Sequence, residues 1–443
     1  MSLIKKIRDS KFLKDGAALI SGNVWAQGIA FAAYLILTRL FSREDIGIYN
    51  IFFSYIEVLV IVSTCKYEMA VVVCDSERES VAVSRIALRI NTIVSVALLT
   101  VILILALLPR TGVPLPFPVF NTSGSFGVAM LIPPMVFFCG TSRVYTALLN
   151  RRKDFKPIAF SEAIGSTSGV MAKLLFGLPR LADSLLHTVG LPLGTVIGKA
   201  ASNVNLRLRL HKEDIPHDIS KGERRAAAFK HRNFPLFTLP KELVNSLSYN
   251  LPFLWLAQYA DKAEVGLFAL ALTFTFRPVN IFNTAFEKLL YVRIAQKTRA
   301  GESIKKEIFH FVKYLNLAAI PLFAIVFCFA DTIFGILFGG KWAGCGYYVR
   351  CLIPWTFISL TSTSLLFIAN VFSRQRTEFF FYLLLFALRA GAVLTGVLSG
   401  NFRLAILLFS IAGAVVSMAI LAWCLRLVSL FEAKTFHSED NLD

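Results

Sequence analysis

The sequence predicts an all-α protein that crosses a membrane about twelve times, with its helices in two six-helix lobes around a central cleft. Three observations predict this fold class. Hydrophobic residues make up 56% of the 443 residues and charged residues only 17%, which is more apolar surface than a water-soluble domain can bury. The apolar residues form long uninterrupted segments, and a short polar corner in the first half of the chain recurs in the second half.

Twelve apolar segments have about the length of roughly 20 residues that a bilayer-spanning helix needs. The segment 181–206 is the least apolar, because three glycines and a proline dilute it. In order, the segments cover 17–41, 46–73, 84–108, 124–149, 157–178, 181–206, 235–259, 264–287, 308–331, 346–372, 378–399 and 402–426.

The charges between the segments predict the orientation. The chain has 46 Lys and Arg against 28 Asp and Glu, a formal net charge of +18. If the N-terminus is cytoplasmic, most of the Lys and Arg fall in cytoplasmic loops, as the positive-inside rule requires. Both termini are therefore expected in the cytoplasm, and the excess charge indicates membrane topology rather than a nucleic-acid partner. The basic start, Met1–Lys14, lacks the features of a cleavable signal peptide.

The repeated corner predicts two related halves. Leu40–Tyr49 recurs 219 residues later as Tyr259–Phe268, with Gly47 and Gly266 aligned. We expect Gly47 to relax the backbone where a helix begins. Six spans separate the copies, so both have the same orientation, as in transporters whose lobes are related by an axis along the membrane normal.

These features predict the domain boundaries. An N-terminal lobe covers 1–206, a basic cytoplasmic linker covers 207–234 and a C-terminal lobe covers 235–443. Two facing lobes with a cleft between them are the architecture of a transporter that opens alternately to the two sides of the membrane.

Charged residues inside the apolar segments are the candidate site, because each costs roughly 2.5–3.5 kcal/mol near the bilayer centre. Arg277 is the best placed, in the middle of the segment 264–287. It belongs to a polar stripe at helical spacing. The stripe consists of Thr273, Arg277, Asn280, Thr284 and Glu287. Such a stripe indicates substrate contact, and a hydrogen bond within the lobe is the competing interpretation.

Two carboxylates in the second segment are candidates for ion coupling. Glu57 and Glu68 are eleven residues apart, about three helical turns, and share one face. On a straight helix Lys66 falls on the opposite face. In the first segment, Asn23 and Gln27 form a weaker polar stripe, which packing alone also explains.

The other intramembrane cations leave two interpretations open. Arg89 and Arg143 lie a turn or two inside their segments, so each either faces the cleft or extends to the membrane interface. Lys173 and Lys199 lie near segment ends, and we expect both to extend to the interface. Arg389 is in mid-segment, where a contact within the lobe and a ligand contact are equally compatible with its position.

No cofactor or metal is predicted. The seven cysteines are scattered without a Cys-x-x-Cys pair, so neither a zinc motif nor a disulfide scaffold is indicated. Gly198-Lys199 is followed by Ala200 and lacks the leading glycine of a phosphate-binding loop. Transport is therefore expected to draw on an ion gradient rather than on ATP.

Three stretches carry a resemblance to a known family. Ser21–Gln27, Leu37–Tyr49 and Lys66–Val71 resemble bacterial polysaccharide flippases of the Wzx type. These belong to the superfamily of multidrug, oligosaccharidyl-lipid and polysaccharide exporters. The motif match covers about the first 75 residues, and the rest of the chain agrees in the number of spans, the loop charges and the repeat.

The resemblance implies a flippase, not an enzyme, in the bacterial inner membrane. It would move an undecaprenyl-diphosphate-linked oligosaccharide, the repeat unit of O-antigen, capsule or exopolysaccharide, from the cytoplasmic to the periplasmic leaflet. Polymerase and chain-length proteins of the same pathway are then candidate partners. The substrate-contacting residues are predicted as Arg277, Arg89, Arg143, Asn280, Asn23 and Gln27, with Glu57 and Glu68 coupling an ion.

The sequence is also compatible with other functions. A lipid II flippase and a multidrug or cation antiporter share the superfamily, but an antiporter for cations is expected to have net acidic groups in its cleft. A membrane glycan polymerase or glycosyltransferase is the alternative from another class. Such an enzyme usually carries a long loop with acidic or arginine motifs, whereas the loop 109–123 has one Arg and no acid.

Overall fold

The computed structural model describes residues 28–29, 31–107, 123–179, 185–211, 219–299, 302–372 and 374–436, and every regular element within them is a helix. In chain order these are α1 Phe31–Leu40, α2 Arg43–Ser63, α3 Tyr67–Val73, α4 Glu77–Leu107, α5 Ser123–Met130, α6 Ile132–Arg151, α7 Lys156–Phe176, α8 Leu185–His211, α9 Lys221–Lys230, α10 Leu239–Leu254, α11 Lys262–Arg299, α12 Lys305–Phe338, α13 Cys345–Ser364, α14 Phe367–Val371, α15 Gln375–Ser399 and α16 Phe402–Phe436.

The predicted all-α class is confirmed, and each predicted apolar segment is mainly helical in its described residues. Within the described ranges, eight helical segments are long and apolar enough to cross a membrane. These are α2, α4, α5 with α6, α11, α12, α13 with α14, α15 and α16.

The chain forms two compact units, 1–246 and 247–443, and the division falls inside α10. Each unit has its own apolar cores. One apolar core of the first unit includes the buried residues Phe52, Val136 and Val196. In the second, a core gathers around Ile308, Phe367 and Val416. The predicted lobe and linker boundaries at 206 and 235 stay a prediction.

The repeated corner begins a helix at equivalent residues in both copies. Ser42 caps α2: its hydroxyl accepts from the Asp45 amide at 3.1 Å, and the Asp45 carboxylate accepts from the Ser42 amide at 3.0 Å. Asp261 occupies the position equivalent to Ser42, and its carboxylate accepts from the Ala263 amide at 3.1 Å at the start of α11. Side-chain caps of this kind satisfy amides that have no partner within the helix.

The expectation for Gly47 is wrong. This glycine is buried inside α2, which already begins at Arg43. The Ser42 side chain caps the first turn of α2, so no flexible residue is needed where the helix begins.

The predicted span 46–73 is not one straight helix. It breaks between α2 and α3, where Cys65 and Lys66 adopt left-handed backbone conformations with φ of 48° and 60°. Such a conformation costs roughly 1–2 kcal/mol for a residue with a side chain. The break rotates α3 relative to α2, which changes the direction of the charged side chains near it.

Helices α7 and α8 pack closely through glycines. A methyl group on Gly198 would lie 2.4 Å from the Gly165 carbonyl oxygen and 2.8 Å from the Gly169 Cα. On the opposite helix, a methyl group on Gly169 would lie 3.2 Å from the Gly194 carbonyl oxygen. Small residues at four-residue spacing let membrane helices approach at this distance.

Helix α9 lies within the predicted linker and docks on the first unit. Ala227 is buried in an apolar core with Val83 and Leu149. Arg78 Nε lies 2.5 Å from Glu223 Oε1. Hydrogen bonds from Arg78, and then from the Ser220 cap, lower the pKa of Glu223 to about 2, so this exposed pair is fully ionised at neutral pH.

Candidate functional site

The first unit contains a charged pocket of about 890 Å³. Residues of α2, α3, α6, α7 and α8, together with the break between α2 and α3, form its walls. Its charged lining residues are Glu57, Lys66, Glu68, Arg143, Glu162 and Lys199. Three of these, Glu57, Glu68 and Arg143, are among the predicted site residues, and the pocket brings them together.

The helix break places Lys66 and Glu68 in this pocket. Lys66 Nζ lies 3.9 Å from Glu68 Oε1, and both side chains are less than a tenth exposed. The second carboxylate oxygen of Glu68, Oε2, is buried and has no hydrogen-bond partner among the described residues. A straight helix would have turned Lys66 away from Glu57. The left-handed turn at Cys65 and Lys66 removes that restriction, so both residues line one pocket.

On the wall formed by α7 and α8, Lys199 Nζ lies 3.5 Å from Glu162 Oε1. The pair sits beside the glycine contact between α7 and α8. The ammonium group of Lys199 therefore has a carboxylate partner in the pocket, and its extension to the membrane interface stays a prediction.

Lys173 also has a partner within the first unit. Its ammonium group lies 3.1 Å from the hydroxyl of Tyr49 and 4.9 Å from the centre of that ring. A hydroxyl acceptor and the face of an aromatic ring together attract this ammonium group within the unit.

Arg143 is the pocket cation with no ion pair among the described residues. It lies on α6 beside Thr146 and Asn150, which follow it at three and seven residues and line the same pocket. Three- and four-residue steps keep side chains on one helical face. The α6 wall is therefore a polar stripe whose one charged member is a guanidinium group.

The remaining predicted residues lie elsewhere. Arg277 and Asn280 are exposed on α11 in the second unit, and Arg89 is exposed on α4 and does not line the pocket. Asn23 and Gln27 lie outside the described residues, as do the side chains of Thr284 and Glu287.

Sequence reasoning missed Lys66, Glu162 and Lys199 as pocket residues. A straight helix puts Lys66 on the face opposite Glu57, and no glycine or proline in the sequence marks the helix break. Glu162 and Lys199 lie 37 residues apart on different helices. The glycines at 165, 169, 194 and 198 were the available signal, since they predict that α7 and α8 meet closely.

The second unit buries one further cation, Arg389 on α15. Its guanidinium carbon lies 4.1 Å from the ring centres of both Trp355 and Phe409. Its Nη1 donates a long hydrogen bond of 3.4 Å to the Ser248 hydroxyl, and Nε and Nη2 have no partner among the described residues. Among the described residues it has neither a salt bridge nor a carbonyl contact, and two aromatic faces contact it instead.

The eight apolar helical segments in the described ranges define a polytopic membrane protein, and a pocket lined by charged residues lies among its helices. An inward-facing multidrug resistance MATE family transporter of the MOP superfamily superposes with a TM-score of 0.65 and 12% identity, covering 92% of this chain and 95% of that one. The lipid II flippase MurJ, in an inward closed conformation, superposes with a TM-score of 0.66 and 13% identity. The match covers 94% of this chain and 90% of that one. A MOP superfamily transporter from Pyrococcus furiosus superposes with a TM-score of 0.54 and 11% identity, covering 95% of this chain and 96% of that one. Its binding pocket is described as having reverse polarity. At sequence identities of 11–13%, these structural similarities establish the fold alone.

The family follows from the sequence itself. Residues 36–346, more than two thirds of the chain, match the model of a family described as polysaccharide biosynthesis protein. The chain belongs to this family, which confirms the predicted resemblance to polysaccharide flippases. No curated protein sequence matches the chain at a significant level.

Proposed function

We propose that this protein is a flippase for undecaprenyl-diphosphate-linked oligosaccharide, the repeat unit of O-antigen, capsule or exopolysaccharide. It would carry this lipid across the bacterial inner membrane by ion-coupled alternating access, with both termini in the cytoplasm, and act as a transporter rather than an enzyme. One observation carries the proposal: a chain of the polysaccharide biosynthesis family has a charged pocket whose walls include the candidate membrane-spanning helices α2 and α6, with a guanidinium group available to a ligand.

In this proposal Arg143 binds the diphosphate. Its planar fork of donors matches phosphate oxygens, and among the described residues no carboxylate competes for it. Lys66 lies in the same pocket and adds a second positive charge. The volume of about 890 Å³ falls in the range of small-ligand pockets, which suits a diphosphate with its first sugars rather than a whole oligosaccharide.

The second unit supplies a further contact in the proposal. Arg277 is exposed at mid-helix on α11, with Asn280 one turn away. We assign Arg277 to the diphosphate and Asn280 to the adjoining polar groups of the substrate. Asn23, Gln27 and Arg89 complete the proposed contacts.

Glu57 and Glu68 are proposed to couple an ion to transport. The buried Glu68 Oε2 has no hydrogen-bond partner in the described part of the chain, and a buried polar atom without a partner carries a desolvation penalty. A proton or a small cation at this position would remove that penalty. Binding of the diphosphate near Lys66 would weaken its attraction to Glu68 and so change the affinity for the ion.

Lipid binding tests the arginine assignments. The purified protein is offered undecaprenyl diphosphate and, separately, undecaprenyl monophosphate, and bound lipid is counted by native mass spectrometry. We expect Arg143→Ala and Arg277→Ala each to weaken diphosphate binding about tenfold or more, because each removes charge-assisted hydrogen bonds. The matching Lys variants should bind with intermediate strength, since they keep the charge but lose the fork.

Arg376→Ala is the matched control, because Arg376 is exposed at the start of α15 and lies outside the pocket. Thermal unfolding of each variant separates lost binding from lost folding. Unchanged diphosphate binding by folded Arg143→Ala and Arg277→Ala protein would contradict the proposed substrate contacts.

The three pocket carboxylates favour a second candidate, an antiporter for organic cations. Ethidium distinguishes the two functions, because an acidic site binds it and a diphosphate site does not. Saturable ethidium binding that Glu57→Gln abolishes, together with no preference for the diphosphate lipid, would favour the antiporter.

A further inference from the structure

Three metal-ligating side chains meet where helix α9 docks on the first unit. Cys74 follows α3, Glu79 lies in the first turn of α4, and His231 follows α9. Cys74 Sγ, Glu79 Oε1 and His231 Nε2 all lie within 4.8 Å of one another. Sγ lies 3.5 Å from Nε2, and Nε2 lies 2.9 Å from Oε1.

A cationic group already lies against this cluster. Lys230 Nζ is 2.7 Å from Glu79 Oε1 and 2.7 Å from Asp75 Oδ2. The Lys230 side chain is half exposed, whereas Cys74 and His231 are less than a tenth exposed. The lysine can therefore turn into solvent while the thiol and the imidazole stay in place.

We propose that Cys74, Glu79 and His231 bind a transition-metal ion of the zinc class, in the place where the Lys230 ammonium group now neutralises the carboxylates. Sulfur, imidazole nitrogen and carboxylate oxygen are the donors that zinc takes in proteins. The Asp75 carboxylate or a water molecule completes four-coordination.

The separations of the donor atoms fit this assignment. Metal–ligand bonds of about 2.3 Å to sulfur and about 2.0–2.1 Å to nitrogen and oxygen, at tetrahedral angles, place sulfur and nitrogen about 3.6 Å apart and nitrogen and oxygen about 3.3 Å apart. The thiol and imidazole already have nearly this spacing, at 3.5 Å. The 2.9 Å between His231 and Glu79 must open by a few tenths of an ångström, which rotation of the carboxylate supplies.

Binding has a defined proton balance. The Cys74 thiol releases its proton to water and becomes a thiolate ligand, while neutral His231 offers the lone pair of Nε2. Lys230 keeps its proton and moves into solvent. The divalent metal ion therefore places two positive charges beside the carboxylates, where the ammonium group placed one.

The consequence is a metal-dependent attachment of α9. Without a metal, α9 is held by the buried Ala227, by a hydrogen bond of 3.2 Å from the Tyr67 hydroxyl to the Ala228 carbonyl oxygen, and by ion pairs. The metal would join the end of α9 to the corner between α3 and α4. This inference does not depend on the transported substrate.

Cobalt binding tests the site, because Co²⁺ takes the same ligands as zinc and reports them by its absorption. The full chain, purified in detergent and freed of metal with a chelator, is titrated with Co²⁺. We expect a thiolate-to-cobalt band in the near ultraviolet and the visible bands of a tetrahedral ion, all displaced by Zn²⁺. Cys74→Ser should remove the thiolate band, and His231→Gln should weaken binding about tenfold or more.

Matched controls lie in the second unit. Cys328→Ser and His310→Gln change exposed residues of the same types and should leave every band unchanged. Lys230→Gln removes the competing ammonium group and should tighten Co²⁺ binding, an effect that a purely ionic attachment would not produce.

Thermal unfolding without metal verifies that each variant is folded, and if Cys74→Ser is not, the His231→Gln and Lys230→Gln titrations decide alone. Absence of a thiolate band in the wild type, or persistence of the band in folded Cys74→Ser protein, overturns the metal site. The cluster is then an ion-paired contact only.

Discussion

Arg389 shows how a single buried charge is held in the second unit. Its guanidinium group lies between the rings of Trp355 and Phe409, with two nitrogen atoms that have no hydrogen-bond partner in the described residues. A desolvated cation–π contact contributes about 2 kcal/mol, and two of them approximately offset the roughly 2.5–3.5 kcal/mol that a charge costs inside a membrane. The stacking of a flat cation is therefore what makes arginine acceptable here.

Substitutions of Arg389 test this balance. Arg389→Met removes the charge and keeps an apolar chain between the rings, so we expect its Tm to stay close to that of the wild type. Arg389→Lys keeps a charge that is strongly hydrated and has no flat face, so its Tm should fall by roughly 4 °C or more. Arg376→Lys, at an exposed position, is the control. A lysine variant as stable as the methionine variant would contradict the stacking argument.

The predicted role of Glu57 rests on one carboxyl group in the pocket. Glu57→Gln removes the titratable group with little change in shape. We expect slower flipping of the lipid-linked substrate in proteoliposomes, a weakened dependence on pH and normal expression. Glu44→Gln changes an exposed acid at the start of α2 and should leave the rate unchanged. If Glu57→Gln keeps the full rate and pH dependence, Glu57 is structural.

At the scale of helices, the close contact of α7 and α8 determines one wall of the pocket. Glu162 and Lys199 lie on these two helices and pair across them, next to Gly165 and Gly198. The distance between the helix axes therefore affects the separation of the two charges. Substitution of a glycine in this helix contact should therefore alter the pocket, although the glycine itself does not line it.

Gly198→Ala tests this coupling. A methyl group there would meet backbone atoms of α7 at 2.4 and 2.8 Å, and overpacking of this kind destabilises by about 1–3 kcal/mol. Gly391→Ala is the matched control, because no atom lies within 4 Å of the added methyl group, and alanine in an exposed helix is neutral or favourable by up to about 1 kcal/mol. Thermal unfolding should show opposite signs for the two variants. A Gly198→Ala protein as stable as the control would contradict the close contact.

The sequence predicted the helices well and the pocket only in part, for a physical reason. Long apolar segments specify helices whatever their neighbours are, so the segments and the repeated corner could be found from residue type alone. Lys66 was misplaced because the left-handed turn at Cys65 and Lys66 has no glycine or proline to mark it. The Cys74 and His231 cluster was invisible, since its members are 157 residues apart and only the docking of α9 brings them together.

The duplicated corner and the loop charges together predict the topology of the whole molecule. Helices α2 and α11 begin at residues 219 positions apart, each after a side-chain cap. Equivalent corners in a duplicated chain face the same side of the membrane when an even number of crossings separates them. A measurement of topology therefore tests both the number of membrane crossings and the relative orientation of the two halves.

Reporter fusions measure this topology. A reporter fused after Arg224 or in the C-terminal tail should indicate the cytoplasm, because the neighbouring loops concentrate Lys and Arg. A reporter after Lys262, at the second copy of the corner, should indicate the periplasm, and one after Lys341 serves as a second periplasmic control. The physical reason is that translocating a loop with many positive charges is unfavourable, whereas the loops at 262 and 341 carry few. A periplasmic signal from 207–233 would reject twelve crossings, and with them the expectation that the two halves share one orientation.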